Sequence, residues 1–487
     1  MTKSIKQSGI LLHPTALPGP YGIGELGMEA YRFIDMLEEM GHSLWQVLPL
    51  GPTDGTFSPY SSSSAFAGNP YIISTELLLE YGLIQKSDIS TLKFAEQRID
   101  IENIDSFKMD LLFIASNNFL DKIDMDLYNG YEIFCQENSY WLDDYARFSA
   151  IKIENKGVSW NKWKNVNVKN DQLESIIKVI QFLFDFNWKK IRSYANKKGI
   201  QIIGDMPIYV SYDSCDVWSN RELFRLDRNG EMMYEAGCPP CDYNVDGQHW
   251  GMPVYNWKKH LESNFNWWKK RFKRMFSMLD ILRIDHFIGF SRYYSIPINQ
   301  SPMDGFWSDS PGNELLSSLS IDINNYDIFV EDLGDVTQDV FDLRDHYRLS
   351  GTRVVQFDLN EKLVDNTYSS DTVLYTGTHD NDTLVGWISS LNDKQKKAVY
   401  NMFLEKVTHW KLIEYAMNSD CDRVVIPLQD VLGLDSKYRF NTPGTLSEDN
   451  WVWRFSFDDL SNLMIDRMRK ITEDSNRLKY IKEGETI

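Results

Sequence analysis

Cysteine is scarce. The 487 residues hold five, an odd and scattered set (Cys135, Cys215, Cys238, Cys241, Cys421). This excludes a disulfide-stapled scaffold and predicts a reducing, cytoplasmic setting. No run approaches the ~20 apolar residues that span a bilayer. The apolar stretch near the start, GILL, is broken by His13 and two prolines, too short for the core of a secretory signal. Positive charge is also short: 51 Lys and Arg stand against 70 Asp and Glu, a formal net charge of −19. Phosphate backbones and anionic bilayers are bound by clustered Lys and Arg. Neither nucleic acid nor membrane is therefore expected as a partner, while a neutral ligand such as a sugar is compatible with this charge. Several motifs are missing. No phosphate loop of the G-x-x-x-x-G-K-[ST] type follows an early strand, which speaks against nucleotide binding. No G-x-S-x-G elbow, H-E-x-x-H, H-x-H or D-x-D-x-D-G loop occurs.

Aromatic residues, by contrast, abound, with 15 Trp, 25 Tyr and 26 Phe. Most rings in any protein serve the core, but flat rings also suit the apolar faces of sugars. Eight short β-rich runs recur along the chain: GILLHP (9–14), LWQVLPL (44–50), IQIIGD (200–205), DILRID (280–285), DIFVED (327–332), TRVVQFD (352–358), TVLYTGTHD (372–380) and DRVVIPLQD (422–430). Helix-like segments lie between several of them, for example 29–42, 188–199 and 394–407. Eight strands alternating with helices predict an α/β fold, a (β/α)₈ TIM barrel, in preference to a doubly wound sheet. The whole chain, 1–487, reads as one catalytic barrel. About 150 residues separate the second run from the third, against ~30 for a plain βα unit. Large insertions are thus expected after strands two and three. The first (52–180) is mainly helical. The second (206–265), rich in Gly, Pro and aromatics, looks loop-like. Too little chain follows the eighth run for a C-terminal β-sandwich domain.

Chemistry in such barrels sits at the C-terminal strand ends. Several of the runs end in carboxylates, and four of these stand out by their company: Asp205, Asp285, Glu331 and Asp380. One such residue means little, since Asp is a favoured helix cap, and capping is the reading taken for Asp332 and Asp382. Asp285, Glu331 and Asp380 at one mouth suit glycosidic-bond chemistry, in which one carboxylate attacks while a second group donates a proton. Arg283 lies two residues before Asp285, hence on the same strand face, where it is expected to keep that aspartate ionised. His379 can donate to sugar hydroxyls. A rival reading gathers His286, His379, Asp380 and Asp382 around a metal, and Cys238-Pro-Pro-Cys241 with Cys215 and His249 around zinc. A second C-x-x-C is missing, so the thiols read as ordinary and neither a metal nor a cofactor is expected.

Longer motifs carry a resemblance. GILLHPTALPGPYGIGELG, SPYSSSSAFAGNP, IIGDMPIYV, RIDHFIGF, VEDLGDVT, GTHDNDT and NTPGT resemble the amylomaltases. These are the 4-α-glucanotransferases of the α-amylase superfamily, related to plant disproportionating enzyme. The resemblance runs along nearly the whole chain. It implies transfer of α-1,4-glucan segments between maltooligosaccharides by a retaining double displacement. Asp285 would be the nucleophile, Glu331 the acid/base and Asp380 the residue gripping the distorted sugar. Arg283 and His379 would support that sugar. Tyr60, Asp205, Tyr243, Gln248, Trp250 and Asn441 would line the donor and acceptor subsites. Donor and acceptor glucans would be the partners, with no cofactor. One loop departs from the pattern: in AGCPPCDYNVDGQHWGMPVY, Cys241 stands where the family has an aspartate and Met252 where it has an asparagine. That places acceptor preference, not the basic chemistry, in question. A plain α-glucan hydrolase and a non-catalytic glucan binder are the competing functions.

Overall fold

The computed structural model describes residues 6–89, 93–121, 125–166, 169–240, 245–319, 325–361 and 368–478. Twelve strands form among them: β1 (Gln7–Leu11), β2 (Leu44–Gln46), β3 (Gln201–Met206), β4 (Tyr234–Cys238), β5 (Gln248–Pro253), β6 (Ile281–Ile284), β7 (Arg292–Pro297), β8 (Phe306–Asp309), β9 (Asp327–Val330), β10 (Gly351–Val354), β11 (Thr372–Tyr375) and β12 (Arg423–Pro427). Eight pair in parallel in the order β10-β11-β12-β1-β2-β3-β6-β9. A parallel bridge between Phe329 and Ser350 joins the two ends, and Val330 N–H donates to Ser350 O at 2.9 Å. The sheet therefore closes into the expected (β/α)₈ barrel, and a doubly wound sheet is excluded. Each of the eight β-rich runs supplies one barrel strand.

The barrel strands are short and largely buried on both faces, as in all-parallel sheets. In β6 all four residues, Ile281 to Ile284, are buried. Interior crowding shows at Gly9 on β1, where an added Cβ would lie 2.1 Å from the carbonyl oxygen of Leu44 on β2. Only glycine lets those backbones approach so closely. Between β1 and β2, helix Met28–Glu39 turns Ala30, Phe33, Ile34, Met36 and Leu37 inward, the 3–4 spacing of an amphipathic helix.

The segment between β2 and β3 is mainly helical, with helices Thr75–Glu80, Ile101–Asp121, Met125–Glu154 and Asp171–Lys197. The last runs through position 180. It begins at an Asn170 cap, whose side chain accepts from Leu173 N–H, and Trp188 at its far end donates to Met278 O at 2.9 Å. A buried ion pair fastens this region to the loop after β1. Lys108 Nζ lies 2.6 Å from Glu25 Oε1 and also donates to Ile73 O.

Part of the stretch read as loop-like (206–265) is strand. β4 and β5 pair antiparallel with β7 and β8 in a second, four-stranded sheet of order β5-β4-β7-β8. The sequences YEAGC and QHWGMP carry no β-branched residue. Their strand character comes from pairing, β4 with β7 and β5 with β4, rather than from β-branched side chains. After β12 the described chain is helix and turn, including Leu428–Leu432 and Asn462–Asp474, with no further strand among the described residues.

Candidate active site

Arg283 sits at the centre of the barrel mouth. In the β3–β6–β9 register it pairs with Asp205 on one side and Phe329 on the other. Its side chain is 2% exposed, so its charge has to be matched. Three carboxylates match it. Nη1 lies 2.5 Å from Asp205 Oδ2 and 3.0 Å from Asp285 Oδ1, and Nη2 lies 3.2 Å from Glu331 Oε1. Tyr60 O–H donates to the same Asp205 Oδ2 at 2.6 Å. Asp205 and Arg283 thus form a buried floor, while Asp285 and Glu331 rise from it, one-fifth exposed, toward the opening.

Asp285 and Glu331 flank the same guanidinium, and each shifts the other's proton affinity. Burial and the adjacent Glu331 charge push Asp285 well above the usual carboxylate range, and the nearby Arg283 does not reverse this. Burial also works to raise Glu331, but Arg283 and the His286 N–H, which donates to Glu331 Oε2 at 2.8 Å, outweigh it and hold Glu331 below the usual range. Of the two, Asp285 has the higher proton affinity, because the guanidinium serves both carboxylates while the backbone N–H favours Glu331 alone. That N–H is aimed by a left-handed turn at His286, φ 49°, a conformation unusual for a residue with a Cβ and common at functional sites. The His286 imidazole is itself pushed down by burial.

The opposite wall belongs to the loop after β11. Asn441 Nδ2 donates to Asp380 Oδ1 at 2.7 Å, and Arg439 Nη2 donates to the Asp380 carbonyl at 2.8 Å. His379 Nε2 lies 3.4 Å from Asp380 Oδ2. The His379 ring stacks on Tyr60, centroids 5.0 Å apart and 19° between planes, and both rings meet Trp451 at 5.9 Å. Asp430 pins the loop from beneath: Leu384 N–H donates to its Oδ1 and Thr376 O–H to its Oδ2, each at 2.7 Å. Burial pushes this carboxyl up to about 7.

β5 supplies the remaining wall. Gln248, Trp250 and Met252 alternate toward the cleft while His249 and Gly251 face outward. Trp250 meets the His286 ring edge-on at 4.8 Å and 88°. Together these surfaces enclose a cleft of about 710 Å³, within the range of small-molecule sites.

Of the candidates named from the sequence, Tyr60, Gln248, Trp250, Asp285, Glu331, His379, Asp380 and Asn441 line this one cleft, with Asp205 and Arg283 beneath it. Tyr243 and Cys241 lie outside the described residues. The departing Met252 lines the cleft. Asp382 does not join the cluster. It accepts from Thr383 N–H and from Ser436, and no group of three metal-ligating side chains occurs among the described residues. Asp332, read as a cap, instead accepts from Thr352 N–H and pairs with Arg344. Sequence reasoning missed Arg439, Tyr209 and Trp451. Tyr209 and Trp451 also line the cleft, but nothing marks them out among so many aromatic residues. Arg439 stands two residues before Asn441, a spacing that could have suggested it.

Comparisons with known proteins point one way. A family model described as 4-alpha-glucanotransferase matches residues 12–460. A 4-alpha-glucanotransferase of Synechocystis is 39% identical over 97% of this chain and 98% of its own, and one of Thermus thermophilus is 36% identical over 96% and 99%. Among solved structures, an amylomaltase from Streptococcus agalactiae in complex with acarbose has a TM-score of 0.92 at 34% identity, covering 97% of this chain and 99% of that one. An amylomaltase from Corynebacterium glutamicum, 17% identical, shares the fold at a TM-score of 0.82 over 97% of this chain and 75% of its own.

Proposed function

The chain belongs to the 4-α-glucanotransferase family, the amylomaltases, and from that premise we propose that it moves α-1,4-glucan segments between maltooligosaccharides by retaining double displacement. Asp285 serves as nucleophile, Glu331 as acid and base, and Asp380, oriented by Asn441 and Arg439, as the group that holds the distorted sugar. The sparse, odd set of five cysteines suits a cytoplasmic enzyme.

The observation carrying this reading is that Asp285 and Glu331 adjoin under one guanidinium. Inverting enzymes need roughly 6.5–9.5 Å between their carboxyls to seat a water, whereas retaining ones hold them at about 5–5.5 Å, and two carboxylates that reach one guanidinium favour the shorter spacing. A glucan entering the cleft brings its glycosidic oxygen to Glu331. A proton on Asp285 then passes to the adjoining Glu331. Asp285, now an anion 3.0 Å from Arg283 Nη1, attacks the anomeric carbon. The bond to the glycosidic oxygen breaks, and that oxygen takes the proton from Glu331. In the second half Glu331 removes the proton from the 4-hydroxyl of an acceptor glucan. That oxygen attacks the anomeric carbon, and the Asp285 carboxylate departs. The proton given to the departing sugar is thus replaced by one from the acceptor, which restores the starting state. His379 and Tyr60 form a stacked platform beneath the reacting ring, and Gln248 and Trp250 wall the acceptor side.

The test is to trap the intermediate with a 5-fluoro-α-glucosyl fluoride and map the labelled peptide by mass spectrometry. The adduct is expected on Asp285. Label on Glu331 or Asp380, or its absence under conditions where fluoride is released, would overturn the assignment.

A further inference from the structure

Glu235 has no part in the chemistry above, yet it makes an unusual pair of contacts. It stands on β4, facing the strand that carries Gln248 and Trp250. Pairing between these strands is irregular: Gly237 faces His249, but Glu235 faces Pro253, so the register slips by two residues. The excess lies in β5, at Trp250 to Met252, the segment that lines the cleft. Such bulges re-aim side chains beside active sites. A bulge also frees backbone N–H groups from the ladder, and these need other partners.

Glu235 supplies them. Its Oε2 accepts from Gly251 N–H at 2.9 Å, and its Oε1 lies 2.8 Å from His249 Nδ1. The carboxyl thereby grips the residues on both sides of Trp250 while its own side chain is only 13% exposed. Gly251 takes φ +66°, and a Cβ there would meet nothing within 4 Å. Its glycine is needed for conformation, not for space. Trp250, held at its two neighbours, donates through Nε1 to Gln248 Oε1 at 3.0 Å and presses its ring on His286. His286 in turn donates its N–H to Glu331.

We propose that Glu235 is a positioning residue for acceptor capture. It staples the β5 bulge so that Trp250 stands against His286 and walls the acceptor side of the cleft. This rests on the transferase reading above. Without the staple the bulge is free to relax, an acceptor is oriented less well, and water competes better for the glycosyl-enzyme. Donor cleavage, which uses the floor residues on β3, β6 and β9, is left largely intact.

The test compares wild type with Glu235→Ala and Glu235→Gln. An activated donor, α-maltotriosyl fluoride, is supplied with glucose as the varied acceptor, and both fluoride release and transfer product are followed. For Glu235→Ala we expect the KM for glucose to rise about five- to tenfold and the hydrolysis-to-transfer ratio to rise several-fold, as loss of orientation predicts. Fluoride release should stay within about twofold. Glu235→Gln keeps one acceptor oxygen for Gly251 N–H and should fall between the two, a rescue that a bulk structural role would not give. Should the alanine variant fail to fold, the glutamine variant must still show the same shift in direction. An unchanged glucose KM and product ratio would overturn the proposal, as would equal loss of fluoride release and transfer. Wild type that gives no transfer product at all would instead refute the transferase reading.

Discussion

Replacing Arg283 by lysine tests the electrostatics of the site at its centre. The guanidinium reaches three carboxylates with two nitrogens, at 2.5, 3.0 and 3.2 Å from Asp205, Asp285 and Glu331. A lysine ammonium is one compact charge without the planar fork. It can stay near Asp205, the nearest partner, but it cannot also bridge Asp285 and Glu331. An opposite charge at this range lowers a carboxyl pKa by about 1–3 units. Since the lysine retains part of the charge, roughly one unit of that is lost, or about 1.4 kcal/mol. The sign follows directly. Removing positive charge raises the proton affinity of both carboxyls, so the doubly protonated, inactive pair persists to higher pH. The singly protonated, working form also survives to higher pH. Both limbs of the kcat/KM profile for maltotriose should therefore move up by about one pH unit, with kcat at the optimum down on the order of 10²-fold from lost transition-state stabilisation. The assay is glucose release from maltotriose across the pH range. A profile with unmoved limbs, whatever the loss of rate, would refute the argument that Arg283 sets the proton affinity of the pair.

Glu331→Gln is expected to lose on the order of 10³-fold or more on maltotriose, yet to keep much of the first step on glycosyl fluorides, whose departure needs no proton. Equal impairment on both donors, read by fluoride release and glucose release, would count against the acid role. Lys108→Met leaves Glu25 buried without its cation and should cost about 3–5 kcal/mol of stability. Denaturant titration reads this, and adding Glu25→Gln should recover a good part of it.

The barrel was legible because its strands obey a simple rule: short Val-, Ile- and Leu-rich runs, buried on both faces and ended by polar residues. All eight runs are barrel strands. Their far ends were less legible. TRVVQFD looks uniformly β-rich, yet the strand stops at Val354 and a helix takes Val355–Glu361. TVLYTGTHD leaves the sheet after Tyr375, since His379 and Asp380 have to turn into the mouth. β4 and β5 were hidden because Gly237, Cys238, His249 and Gly251 have little strand propensity of their own, and pairing of β4 with β7 and of β5 with β4 defines them. The carboxylates announced themselves by falling at the ends of several strands. Which of the two has the higher proton affinity did not, because the group that favours Glu331 alone is a backbone N–H at His286, and a backbone donor has no sequence signature. Asn441 and Tyr60 came from the family resemblance, and spacing alone would not have brought them beside Asp380 and Asp205.

The account turns on transfer. Hydrolysis and transfer share the glycosyl-enzyme on Asp285, so the carboxylates do not choose between them. Water at ~55 M is the standing competitor, and a bound, oriented acceptor can exceed it with an effective molarity of ~10⁵ M or more. The most direct measurement is the product profile from pure maltotriose, resolved by chromatography with total reducing ends counted over time. The account predicts glucose together with a ladder of longer α-1,4-glucans, and reducing ends that stay nearly constant. Reducing ends that climb steadily, ending in glucose and maltose with no longer chains, would contradict it.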